Sequence, residues 1–220
     1  MIVICCKKVI IDIENKNLVE GLSFEGSHKE FRVKEKKKKN TETLVIISFV
    51  ETIIKKMIFD HNTFVISPKI ILKENYKINL SNDSPPGSRK PSVSNIYGLA
   101  GLSGLPGYNL SLISGNIICK DNFKNFTSRG GKGGDGQQGS PGGVGGTGGK
   151  GGKLIINGEC IKVGNQGSDG ISLGDSKVGL IPCEENMEGI DITAKSFSHF
   201  TYSSLSLINE AERKEFFKLF

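Results

Sequence analysis

The chain has 220 residues and a net charge of +6, enough length for one ordinary domain or two small ones. Hydrophobic residues make up 36% and charged residues 24%, which excludes a low-hydrophobicity disordered chain. A general basic face is also excluded, because much of the positive charge sits in one run of Lys34, Lys36, Lys37, Lys38 and Lys39 around Glu35.

The N-terminus, Met1-Ile2-Val3-Ile4-Cys5-Cys6, has too short an apolar run for a secretory signal, and its lysines follow the run instead of preceding it. Residues 2–13 are rich in Ile and Val and read as a strand. Residues 14–40 are polar and mixed, and the lysine run reads as a solvated loop within them. Over 43–58 the polar positions Ser48, Glu51, Thr52, Lys55 and Lys56 recur at helical spacing, while the β-branched residues oppose a helix. The spacing predicts a helix there. It is too short and too polar to cross a bilayer, which needs about 20 apolar residues. A mixed N-terminal segment is therefore expected over 1–60.

From Thr63 the pattern becomes that of strands: Phe64-Val65-Ile66, Ile70-Ile71-Leu72, then Tyr76, Ile78 and Leu80 alternating with polar residues. Residues 82–94 hold three prolines and several serines and read as a loop. Glycine then dominates. Of 29 glycines, 24 fall between Gly98 and Gly174, so the enrichment is local. Gly98, Gly101, Gly104 and Gly107 each open a triplet. Gly130, Gly133, Gly136, Gly139, Gly142, Gly145, Gly148 and Gly151 open eight more, and Gly164, Gly167 and Gly170 open a third run. Apolar stretches at 110–119 and 154–163 separate the runs. Polyproline II has three residues per turn, so a glycine every third residue lines one edge with hydrogen alone and lets backbones approach. Most triplets of the second run begin Gly-Gly, which clears two edges. The third edge carries Lys132, Asp135, Val144, Thr147, Lys150 and Lys153.

These triplets resemble collagen over 98–109 and 130–153, although only Pro106 and Pro141 occupy third positions. The Gly-Gly-x run is similar to the bundled polyproline-II helices of glycine-rich springtail antifreeze proteins. Its lysines and aspartate spoil an ice-facing surface, and ice binding is not implied. The stretch from Gly145 to Gly152 running into Leu154-Ile155-Ile156 is similar to the glycine-rich domain of Obg-type GTPases, which implies a shared scaffold only. Residues 63–160 also look like glycine-rich parts of large repeat proteins in which strands alternate with Gly-Gly-x runs.

Few residues point to chemistry. A Walker loop needs Gly-Lys-Ser/Thr, but Lys132 and Lys150 are each followed by glycine. The calcium-binding nonapeptide is matched through Asp135, then fails at Gln137, where a large apolar residue belongs. Asp135, Asp169 and Asp175 lie in or beside the runs, and a glycosidase needs such a carboxylate pair. His28, His61 and His199 are scattered, and Cys5, Cys6, Cys119, Cys160 and Cys183 include no Cys-x-x-Cys pair, so no zinc site is expected. Cys119, Cys160 and Cys183 have apolar neighbours and read as buried thiols. Sequons occur at Asn79, Asn82, Asn109 and Asn125; a chain this rich in Asn and Ser yields about two by chance, so they say little about secretion.

At the C-terminus, Asn209-Glu210-Ala211-Glu212 reads as a capping box opening an amphipathic helix within 201–220. Its bare apolar end suggests a chain that continues.

The expected fold is mainly β, with short strands alternating with polyproline-II-like glycine segments over 61–200, as a β-solenoid or a glycine-rich bundle, and a C-terminal helix. The expected function is a non-enzymatic structural or interaction module with no catalytic, cofactor or metal site. A protein or glycan is the expected partner. The alternatives are a carbohydrate-binding or carbohydrate-cleaving β-solenoid and a nucleic-acid binder through the lysine run, the latter the weaker.

Overall fold

A computed structural model describes residues 1–14, 21–32, 43–58, 60–82, 98–137, 143–172 and 204–219. It is mainly β, as expected. Strands β1 (Ile2–Ile13), β2 (Leu22–Arg32), β3 (Thr43–Ile58), β4 (Asn62–Ile66) and β5 (Lys69–Asn79) are followed by β6 (Leu110–Ile113), β7 (Asn116–Ile118), β8 (Phe126–Thr127), β9 (Lys153–Ile156) and β10 (Glu159–Val163). Among the described residues a helix, α1 (Glu210–Phe217), follows a short 3-10 turn at Leu205–Leu207.

The helix expected over 43–58 is replaced by β3. Its run Thr43–Phe49 is buried throughout, which no amphipathic surface helix would show. Ile and Val in such density favour extended backbone, and a parallel strand covered on both faces reads as a continuous apolar run. β3 pairs in parallel with β1 on one side and with β4 and β5 on the other. The polar positions that mimic helical spacing are spent locally: Glu51 pairs with Lys8 and Lys69, Lys55 with Asp12, and Lys56 with Glu14.

The sheet runs β10-β9-β6-β4-β3-β1-β2, with β5 beside β3, β7 and β8. It crosses the expected boundary near residue 60 without a break. The interior strands are parallel, and an antiparallel strand closes each end: β2 on β1 and β10 on β9. β2 lies within the stretch read only as polar and mixed. β9 and β10 are joined through Asn157 (φ 48) and Gly158 (φ 88), the left-handed pair that a tight hairpin turn requires.

Successive side chains of β1 face opposite ways. Ile4, Cys6 and Val9 enter a large core with Ile46, Ile54, Ile78 and Leu112. Val3 and Cys5 enter a second core with Val45, Ile47, Phe49, Ile66 and Phe216, beneath α1. The capping box is present at α1: Asn209 Oδ1 accepts the Glu212 N–H at 3.0 Å, and Glu212 Oε2 accepts the Asn209 N–H at 3.1 Å. Glu212 also pairs with Lys7 at 2.8 Å, pinning the helix to β1.

β4 and β5 lie beside β6 and β7 in constant register, Thr63 against Leu110 and Ile70 against Ile117. The paired stretches share Asn62/Asn109, Ile66/Ile113, Ser67/Ser114, Ile70/Ile117, Ile71/Ile118 and Lys73/Lys120. The shared polar residues hold the layers together. Asn62 Oδ1 accepts the Asn109 N–H, and Asn109 Oδ1 accepts the Lys153 N–H, each at 2.8 Å. At the corners, Ser67 Oγ donates to Lys69 O and Ser114 Oγ to Asn116 O. Asn157 ends the series, accepting the Ser114 N–H at 2.9 Å and donating to the Ser114 carbonyl at 3.0 Å.

Candidate functional site

The glycine stretches form four segments, 98–107, 130–137, 143–152 and 164–172, in neither helix nor strand. The second follows β8, the third precedes β9, and the fourth follows β10. Their N–H groups reach sideways, once every three residues. Gly101, Gly104 and Gly107 of the first segment donate to Val144, Thr147 and Lys150 of the third, all at 2.8 Å. Gly131, Gly134 and Gln137 of the second donate back to Leu105, Leu102 and Leu99 of the first. Gly146 and Gly149 of the third donate to Gly134 and Gly131 of the second, at 2.7 and 2.9 Å. The fourth receives bonds from Gly130, Gly133 and Gly136 at Asn165, Ser168 and Ile171, and donates from Gly164, Gly167 and Gly170 to Gly152, Gly149 and Gly146.

The spacing leaves no room for side chains along these edges. A Cβ at Gly101, Gly133, Gly148 or Gly170 would lie 1.9–2.0 Å from a neighbouring carbonyl oxygen. Gly104, Gly130, Gly136, Gly145, Gly151, Gly164 and Gly167 are as tight against backbone, and a Cβ at Gly107 would lie 2.7 Å from Ser128 O. The third segment uses two edges: Gly143, Gly146 and Gly149 face the carbonyls of Leu99, Leu102 and Leu105, while Gly145, Gly148 and Gly151 face Gly170, Gly167 and Gly164. At such approaches a glycine Cα–H points at a carbonyl, a weak attractive contact that recurs at close backbone packing. Gly98 opens the first segment, while Gly139 and Gly142 lie outside the described residues.

The third triplet positions face outward or sit between segments. Thr147 Oγ1 meets Ser103 Oγ at 3.1 Å, and Lys132, Lys150 and Lys153 are exposed. Asp135 accepts the Ile171 N–H at 2.8 Å and pairs with Lys132 at 3.3 Å, and these two contacts hold its carboxyl below the usual range. Asp169 accepts the Gly148 N–H at 2.8 Å. Both carboxylates thus terminate backbone donors of neighbouring segments. Asp175, Cys183, His199 and the lysine run at 34–39 lie outside the described residues.

A second cluster escaped the sequence reading. Tyr76, 4% exposed, donates its phenol to Asp121 Oδ1 at 2.8 Å, and the Cys119 thiol donates to the same oxygen at 3.2 Å. The Asn125 N–H donates to the Tyr76 oxygen and the Phe123 N–H to Cys119 Sγ. Asn75, Asn122 and Phe123 around it have φ of 61, 51 and 59, left-handed values that cost a non-glycine residue free energy. Every polar group of the cluster is satisfied by another, so it locks two turns together. Its one sequence signal is Asp121-Asn122, a pair that favours such turns.

The cysteines divide by position. Cys5 and Cys6 are buried in the two cores, and burial raises their thiols to about 11 and about 12. Cys119 is half-buried. Cys160, read from its apolar neighbours as buried, is exposed, because β10 is the outermost strand and Ile161 beside it is 46% exposed. Among the described residues no group of three or more His, Cys, Asp or Glu could hold a metal ion, and no helix is long and apolar enough to cross a membrane.

Compared with protein-family models, curated proteins and solved structures, the chain matches none.

Proposed function

We propose that this chain is a non-enzymatic structural or interaction module built on a glycine-triplet scaffold: four polyproline-II-like segments bundled beside a solenoid-like stack of parallel strands. The observation that carries the reading is the three-residue rhythm of hydrogen bonds, in which the second and third segments each bond to the other three. Polyproline II makes no internal hydrogen bonds, so its N–H and C=O groups are free for neighbours. Glycine every third residue is the condition for those neighbours to come within reach. Such a bundle holds fixed outward positions without a large apolar core. Lys132, Asp135, Lys150 and Lys153 would then be presented to a protein or glycan partner from an immobile backbone, which lowers the ordering cost of binding.

The test is a thermal melt of the full chain followed by far-ultraviolet circular dichroism, with Gly148→Val beside it. The scaffold reading expects one cooperative transition, and loss of cooperativity in the variant. A gradual change in the parent, or a variant as stable as the parent, would show the glycine segments to be a flexible spacer and end the reading.

A further inference from the structure

A side chain fastens the β9–β10 hairpin to the layer before it. Asn157, in the turn between the two strands, pairs its carboxamide with Ser114 as a strand residue would: Oδ1 accepts the Ser114 N–H at 2.9 Å, and Nδ2 donates to the Ser114 carbonyl at 3.0 Å. Its own N–H donates to Leu112 O at 2.9 Å. Ser114 is buried, so water does not stand in for either bond. Asn157 is followed by Gly158, in the only Asn-Gly pair of the sequence, and both turn residues are exposed among the described residues. Asparagine is a thermolabile residue, and glycine carries no Cβ to shield its amide nitrogen from the neighbouring carboxamide carbon. The residue that latches the hairpin is thus also the asparagine of this chain most prone to lose its amide.

We infer that Asn157 is a deamidation site gated by its two bonds to Ser114, and that its modification releases the β9–β10 hairpin. In the reaction the Gly158 nitrogen bonds to Asn157 Cγ, the Cγ–Nδ2 bond breaks, and Nδ2 leaves as ammonia with the proton that Gly158 gives up. Water then opens the cyclic imide, at Cγ to leave aspartate or at the backbone carbonyl to leave isoaspartate. Bringing Cγ onto the Gly158 nitrogen turns the carboxamide out of its pairing, so both Ser114 bonds break first. The site is therefore protected while the hairpin is closed and reacts only when it opens. Neither product restores the latch. A carboxylate still accepts the Ser114 N–H, but it has no hydrogen for the Ser114 carbonyl and sets negative charge against that oxygen. Isoaspartate also lengthens the backbone within a tight turn, where loop length fixes the register of the hairpin. Loss of ammonia makes the step one-way, so the released hairpin is not recaptured. The inference adds a modification site to the module and does not rest on the packing of the glycine segments.

Timed peptide mass spectrometry of the full chain, kept warm at mildly alkaline pH with and without concentrated urea, tests the protection. Asn157 should convert steadily in urea and roughly tenfold or more slowly in the folded chain. Equal rates, or no conversion in urea, would overturn the inference. This readout needs no variant to fold. Hydrogen exchange of Asn157→Asp, which carries the aspartate product, tests the release. Amides of β9 and β10 should exchange roughly tenfold or more faster than in the parent chain, while those of β1 and β3 keep their protection. Unchanged exchange in the hairpin, or protection lost through the whole sheet, would show that Asn157 is not the latch of this hairpin.

Discussion

A Cβ placed on Gly133 would stand 2.0 Å from the carbonyl oxygen of Gly146, and the obstacle is backbone, which no rotamer change removes. Ordinary contact requires more than an ångström of further separation. That separation would stretch the Gly133 to Ser168 hydrogen bond and the Gly146 to Gly134 bond together. Gly133→Ala is therefore expected to cost about 3 kcal/mol or more, the upper end of overpacking effects. In a chain of this size that lowers the melting temperature by about 10 °C. Gly115→Ala is the matched comparison. A Cβ there meets Leu219 at 3.5 Å and Pro68 O at 3.7 Å, ordinary contact. It should shift stability by less than about 1 kcal/mol, in the stabilising direction, because alanine narrows the unfolded ensemble. Equal effects from the two substitutions in a calorimetric melt would remove the packing argument.

Phe216 concentrates the attachment of α1. It is fully buried, edge-on to Phe49 with ring centroids 4.9 Å apart, and α1 has only eight residues. A helix that short does not persist in water without tertiary packing. Phe216→Ala should cost about 3 kcal/mol, as deletion of a buried phenylalanine does. The helix should detach as well, so limited trypsin digestion should cut at Lys214 in the variant well before the body is cleaved. Resistance equal to that of the parent chain would mean that the Lys7–Glu212 pair and the capping box hold α1 without the ring.

Sequence patterns made some elements legible and hid others for identifiable reasons. Residues 2–13 read as a strand because no competing period overlies the Ile/Val run, and Asn209 with Glu212 announced the helix start through capping chemistry. The stretch 43–58 misled, because Glu51, Lys55 and Lys56 serve ion pairs at one end of a strand whose other half is sealed on both faces. Side-chain shape, the density of β-branched residues, outweighs that spacing. The polar ladder from Asn62 through Asn109 to Lys153 is written as six matching positions in two twelve-residue stretches, a fainter repeat than the glycine triplets beside it. Cys160 is exposed despite its apolar neighbour, because such a neighbour signals burial only when the strand is paired on each side. The Tyr76–Asp121 contact joins residues 45 apart and has no local pattern at all.

Thiol reactivity should follow the sheet positions. Cys5 and Cys6 are raised by burial to about 11 and about 12, and both thiols lie in closed cores. The reactive species is the thiolate, so at pH 8 neither has an appreciable reactive fraction or access to reagent. Cys160 is exposed on β10 and should be alkylated within the first minutes, with Cys119 slower behind its bonds to Asp121 and Phe123. Mass spectrometry of timed iodoacetamide digests resolves the sites. Early labelling of Cys6 in the native chain would contradict its place in the core.

Tyr76 and Asp121 oppose each other's titration, and the consequence has a sign at each end of the pH scale. Burial, then the hydrogen bond to Asp121, raises the Tyr76 phenol well above its ordinary 10.0. A neutral acid with a raised folded value contributes stability that is complete below its unfolded value and is lost as pH climbs above it. Asp121 behaves inversely. Burial works against its charge, but the hydrogen bonds from Tyr76 and Cys119 outweigh it and hold the carboxyl below 3.8. Its contribution is present above that value and lost as pH falls through the folded one. Tyr108 is also raised, by burial and then by Asp60. In a titration of absorbance at 295 nm, these two tyrosines should ionise late, in step with unfolding and not near 10. Tyr76→Phe should remove about half of that late amplitude, destabilise the fold by about 1–2 kcal/mol through the lost bond to Asp121 and the lost acceptor of the Asn125 N–H, and weaken the acid limb of the stability profile. A single tyrosine transition near 10 in a chain still folded by circular dichroism would show that the Tyr76–Asp121 bond does not hold the two turns together.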